Sequence, residues 1–89
     1  RWAELEPENA DAFNMIGASY FALKQFPSAV QAYQDAADLE ERGVFFHRIG
    51  ESYRYMGDCD QATVFYDRAL ELDPSLEEAA EGLEKCGNR

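Results

Sequence analysis

Between Phe13 and Leu72 the apolar positions of the chain are written twice. A shift of 33 residues lays Phe13 on Phe46, Ile16 on Ile49, Gly17 on Gly50, Ser19 on Ser52 and Tyr20 on Tyr53, then Ala29 on Ala62, Tyr33 on Tyr66, Ala36 on Ala69 and Leu39 on Leu72. Phe13, Ile16, Gly17 and Tyr20 stand at i, i+3, i+4 and i+7, which lines one face of a helix and does not fit the alternation of a strand. Ala29, Tyr33 and Ala36 form a second stripe after a break at Lys24–Pro27, and the break recurs at Gly57–Asp60. Each copy is therefore predicted to be an antiparallel pair of helices, A then B. The expected spans are 9–23 and 27–41 in the first copy, 44–56 and 60–72 in the second, followed by a helix over Leu76–Cys86. A repeat of this period buries its core by stacking pairs against one another, so the predicted fold is all-α, a solenoid of helix pairs.

A glycine in mid-helix costs about 1 kcal/mol against alanine. Its recurrence at Gly17 and Gly50 predicts that helix B crosses helix A there too closely for a side chain. Gly43 is expected to stop the first helix B in the left-handed conformation that glycine allows. In the last helix Glu77, Glu78, Glu81 and Glu84 crowd one side and leave Ala79, Ala80 and Leu83 as the apolar face, the pattern of a C-terminal capping helix with a polar back.

The order aromatic, Ile-Gly, Tyr, Ala, aromatic, Ala, with Pro74 closing the second copy, resembles the tetratricopeptide repeat. The resemblance spans residues 10–76 and implies a right-handed α-solenoid. It places a first repeat at 8–42, a second at 43–75 and the cap with its tail at 76–89. Glu41 and Arg42 depart from the pattern where the first copy would close with Pro. Residues 1–7, Arg-Trp-Ala-Glu-Leu-Glu-Pro, parallel Arg68–Pro74 and read as the end of a helix B from a truncated preceding repeat. Trp2 and Leu5 are then candidates for a self-association edge, and so for a homodimer.

The 89 residues suit one domain, and the formal charge of −10 with only eight Lys and Arg argues against nucleic acid. No apolar run approaches a membrane span. Cys59 and Cys86 stand too far apart for a zinc or redox motif and are expected as reduced thiols in a cytoplasmic protein. Neither a metal site nor a cofactor is expected. His47, Glu51 and Ser52 come nearest to a catalytic group, but adjacent helical positions point apart, so no enzyme activity is expected.

The resemblance implies a non-enzymatic module that binds a protein or peptide in the concave groove lined by the A helices. By matching positions the groove face carries Asp11, Asn14, Met15, Ala18, Phe21 and Ala22 from the first copy, and Val44, His47, Arg48, Glu51, Arg54 and Tyr55 from the second. The candidate binding residues among them are Asn14, Ala18, Phe21, Ala22, His47, Arg48, Glu51, Arg54 and Tyr55. These positions differ between the copies where the packing positions agree, as a shared frame with a tailored surface would. A chaperone-type clamp for a C-terminal carboxylate wants Asn where Ala18 and Glu51 stand, with only Arg48 matching, which argues against an acidic-tail partner. A narrower resemblance, through Gly17-Ala18-Ser19, Gln25-Phe26, Ala29-Val30, Tyr33, Phe45-Phe46-His47 and Glu51-Ser52, is to type III secretion translocator chaperones. A structural spacer in a longer array, with no ligand of its own, is the alternative from another class.

Overall fold

The computed structural model describes residues 9–87. They form five helices, α1 (Ala10–Ala22), α2 (Phe26–Leu39), α3 (Gly43–Tyr55), α4 (Cys59–Leu72) and α5 (Glu77–Gly87), with no strand among the described residues. The predicted spans agree with these to within two residues. The readings of Trp2 and Leu5 lie outside the described residues.

Local chemistry sets the helix ends. Asn9 and Asp58 cap α1 and α4, their side chains accepting from Ala12 N at 3.2 Å and Gln61 N at 3.1 Å. Pro27 sits in the first turn of α2, where a missing N–H is no loss. The turns α1–α2 and α3–α4 are built alike. Gln25 N donates to Tyr20 O and Asp58 N to Tyr53 O, both at 2.9 Å, across a residue of positive φ, Lys24 at 64° and Gly57 at 87°. Gly43 does not take the role predicted for it. It opens α3, has no positive φ, and a Cβ there would lie 2.9 Å from Ala69 O and from the Asp73 Cβ. Its lack of a side chain admits the end of α4; α2 instead ends into extended backbone at Glu40.

Each helix packs on the next in the chain, and α5 also reaches α3. The close crossings fall at the repeated glycines. A Cβ on Gly17 would lie 2.7 Å from the Tyr33 ring, and one on Gly50 would lie 3.0 Å from the Tyr66 ring. Gly82 in α5 approaches the Tyr66 ring as well, so that ring, 0% exposed, is held between two glycines. Around Tyr33 and Tyr66 gather Ala29, Ala36, Phe45, Ile49, Ala62, Ala69 and Ala79.

The two copies are not equally covered. Phe46 and Ile49 are buried, whereas Phe13 and Ile16 are only partly covered and Tyr20 is exposed. The cause is neighbourhood: α3 lies between α2 and α4, while the one extensive helix contact of α1 among the described residues is α2. The cysteines depart from expectation too. Cys59, the first residue of α4, and Cys86 in α5 are joined as a disulfide with their Cα atoms 5.3 Å apart. Helix pairing brings together thiols 27 residues apart in sequence. Disulfides persist in oxidising surroundings, so these residues give no support for a cytoplasmic location.

Candidate functional site

The groove positions on α1 and α3 converge at the C-terminal ends of the two helices. Phe21 and Tyr55 meet edge to face, with ring centroids 5.2 Å apart and planes at 67°. Phe26, at the start of α2, completes the cluster at 5.1 Å from Phe21 and 5.7 Å from Tyr55. The guanidinium carbon of Arg54 lies 4.9 Å above the Tyr55 ring, a cation–π contact that covers one face of it. Tyr55 remains 56% exposed. Ala18 and Ala22 are exposed beside the cluster, and Phe21 and Phe26 are half-buried.

Farther along, the same face is more closed. Asn14, Arg48, Glu51 and Arg54 are half-buried, and His47 is only 6% exposed, so it offers little surface to a ligand. His47 lies against the Tyr66 ring at 5.8 Å, and its Nε2 is 3.9 Å from the Glu51 carboxylate. Burial pushes its pKa below the ordinary histidine value. Glu51 and then Glu78 of α5 pull it upward, while Arg48 and Arg54 add to the depression. The Arg54 Nε–H donates to the Tyr66 hydroxyl at 3.1 Å, and Arg54 also faces Glu51 at 3.9 Å. The arginine therefore links the groove to the core. Both core tyrosines have raised pKa values, first because burial disfavours the phenolate; Arg48 opposes this at Tyr33 and Arg54 at Tyr66.

Among the described residues, three buried polar atoms on this face have no hydrogen-bond partner: Asn14 Oδ1, His47 Nδ1 and Arg48 Nε. The first two occupy the same position in the two copies, so the repeat keeps a polar atom there although the packing around it does not satisfy it. Ser52 does not join His47 and Glu51 in a proton relay. Its hydroxyl donates to the Arg48 carbonyl at 3.1 Å, the ordinary use of a serine inside a helix. The described residues hold no cluster of three or more His, Cys, Asp or Glu side chains that could ligate a metal.

Reading by repeat did not find Phe26, because the equivalent position in the second copy is Cys59 and no recurrence marks it. Its place just after a turn next to Phe21 was the only signal.

Two family models described as tetratricopeptide repeat match the chain, one over residues 9–42 and the other over residues 45–76. The chain belongs to the tetratricopeptide-repeat family. Among curated relatives it is 31% identical over 83 residues to heat shock protein STI1 of Saccharomyces cerevisiae, covering 90% of this chain and 14% of that protein. It is 31% identical over 72 residues to the mitochondrial import receptor subunit TOM70 of the same organism, covering 81% of this chain and 12% of the receptor. The chain thus spans a small fraction of the length of these relatives. Among solved structures it superimposes on MamA with a TM-score of 0.89 at 22% identity, covering 94% of this chain and 50% of MamA. The N-terminal domain of stress-induced protein-1 (STI-1) from C. elegans gives 0.86 at 21% identity, covering 97% and 73%. These superpositions establish the all-α, tetratricopeptide-like solenoid. The tetratricopeptide-repeat chain is a non-enzymatic protein–protein interaction module, and none of its described helices is long and apolar enough to cross a membrane.

Proposed function

We propose that the chain binds an extended or helical segment of another protein along α1 and α3, and that one apolar side chain of this segment seats on Phe21, Phe26 and Tyr55. The observation that carries this reading is the meeting of three rings from three helices around a tyrosine that stays 56% exposed. Leu23 and Met56, at the two adjoining turns, are 67% and 39% exposed and extend the apolar area. Rigid aromatic surface lined up before the ligand arrives is the usual anchor of a peptide interface, since little ordering is left for binding to cost. Arg54, tied to the core through Tyr66, would present a cation beside the anchor at little loss of its own freedom.

The test is a peptide-display selection against the 89-residue chain, repeated on Tyr55→Ala and Leu23→Ser. Both side chains are largely exposed, so the variants should melt within a few degrees of the parent. Selected peptides should bind the parent and lose at least about tenfold in affinity on Tyr55→Ala. Peptides that bind both proteins equally, or a selection that enriches nothing, would overturn this reading and favour a spacer.

A further inference from the structure

Helix α5 reaches the groove through one ring. At Gly82 its backbone lies so close to the phenol end of Tyr66 that a Cβ there would collide with Cζ. The hydroxyl on that end accepts the Arg54 Nε–H at 3.1 Å, and the Arg54 guanidinium carbon lies 4.9 Å above the Tyr55 ring. Contacts therefore run without a gap from α5 through Tyr66 and Arg54 to the aromatic anchor. Little keeps α5 at the head of this series. Among the described residues no ion pair and no side-chain hydrogen bond joins it to α3 or α4. Ala79, Leu83 and Cys86 give it an apolar footing. Gly82 permits the close approach but weakens the helix itself. Glu77, Glu78, Glu81 and Glu84 are exposed along it in a chain of net charge −10, so like-charge repulsion favours its departure. The turn at Asp73–Leu76 ties the start of α5 to α4, and the disulfide from Cys86 to Cys59 ties its other end. With both ends fixed α5 stays on Tyr66; with one fixed it can swing away.

We propose that the Cys59–Cys86 disulfide is a redox switch on the groove: closed, it holds α5 on Tyr66 and Arg54 beside the anchor; opened by a dithiol, it frees both and weakens partner binding. The inference rests on the groove reading above and names its regulation. Cys59 is partly exposed, so a small dithiol can reach its sulfur. One thiolate of the reagent attacks Cys59 Sγ, the S–S bond breaks, and Cys86 leaves as a thiolate that takes up a proton. The second thiol of the reagent then displaces Cys59, which also ends as a thiol, and the reagent closes into its own disulfide. Two electrons and two protons pass from the dithiol to the chain. Once α5 has moved off, water competes for the Tyr66 hydroxyl and Arg54 loses its fixed partner. An arriving segment must then order the arginine itself, and that cost lowers its affinity.

The test follows the Arg54 Nε–H proton resonance, assigned by its absence in Arg54→Lys, in the 89-residue chain with and without dithiothreitol. Its exchange with water should quicken at least about fivefold on reduction. A synthetic copy of a display-selected peptide should bind the reduced chain at least about fivefold more weakly than the oxidised one. The double variant Cys59→Ser, Cys86→Ser should match the reduced parent with or without the reagent, which excludes an effect of the dithiol on the peptide. Tyr66→Phe keeps the ring and removes the hydroxyl, so it should bind weakly in both redox states. An Arg54 resonance indifferent to reduction, or a peptide affinity equal or higher in the reduced chain, overturns the switch. If that resonance responds but no peptide is ever enriched, the groove reading falls and the switch on it falls too. If peptides bind alike in both states, the switch alone falls and the groove reading stands.

Discussion

Lys24 and Gly57 hold the same place in two equivalent turns, with φ of 64° and 87°. Glycine adopts this left-handed conformation without penalty, whereas a side chain crowds the backbone there. Lys24 is exposed, and its turn keeps both closing hydrogen bonds, so replacing it removes strain without removing packing. Lys24→Gly should raise stability by about 0.5–1 kcal/mol, and Gly57→Ala should lower it by about as much. Thermal melts of the two variants should move in opposite directions, and a destabilised Lys24→Gly would show that the lysine has an unrecognised role. His47 sets a pH response. Its pKa in the fold is lowered, so the folded chain favours neutral imidazole more than the unfolded chain does. The stability this gives is present above the unfolded value near 6.5 and is lost as pH falls through the folded value. Glu51 and Glu78 moderate the loss; Tyr66, Arg48 and Arg54 complete the surroundings. Melting between pH 7.5 and pH 5 should fall more steeply for the parent than for His47→Asn, which installs the residue the first copy carries. Parallel curves would mean that the imidazole is not the sensor.

Helix identity and pairing were legible because a pattern stated twice filters out accident. Phe13 with Phe46, Gly17 with Gly50 and Tyr33 with Tyr66 recur in register, and the glycines lie where the B helices cross. What occurs once was not legible. Phe26 and Cys59 share a register position yet take unrelated roles, one an aromatic anchor and the other half of a disulfide, so neither predicts the other. Gly82 lacks a register mate at 33 residues, and its contact with Tyr66 depends on where α5 comes to rest. The burial of His47 was missed for a related reason: α5 packs on α3 as well as α4, and a single-helix pattern cannot show that. Helix α5 is held by Ala79, Gly82 and the disulfide. Closing a loop of this length contributes about 3.5 kcal/mol in the chain-entropy description. Reduction, or the double change Cys59→Ser and Cys86→Ser, should therefore shift the denaturant midpoint downward while most of the far-UV helical signal survives in dilute buffer. Identical midpoints with and without reductant would show that the non-covalent contacts alone hold α5.

Across the whole molecule the two ends are finished differently. At one end α5 covers Tyr66 and His47; at the other, among the described residues, Phe13, Ile16 and Tyr20 keep part of their surface open. One exposed ion pair, Arg68 with Glu41 at 3.3 Å, crosses the repeat boundary, and another, Arg42 with Asp11 at 3.2 Å, ties the residue before α3 back to α1, but pairs of this kind contribute at most about 1 kcal/mol each. Stacking through α2 therefore holds the copies together. The covalent link between Cys59 and Cys86 also decides how the chain responds when it is pulled. A load applied beyond Cys86 passes through the sulfur bridge to the first residue of α4, so the residues between the two cysteines carry none of the tension, and the end closed by α5 cannot be peeled one turn at a time.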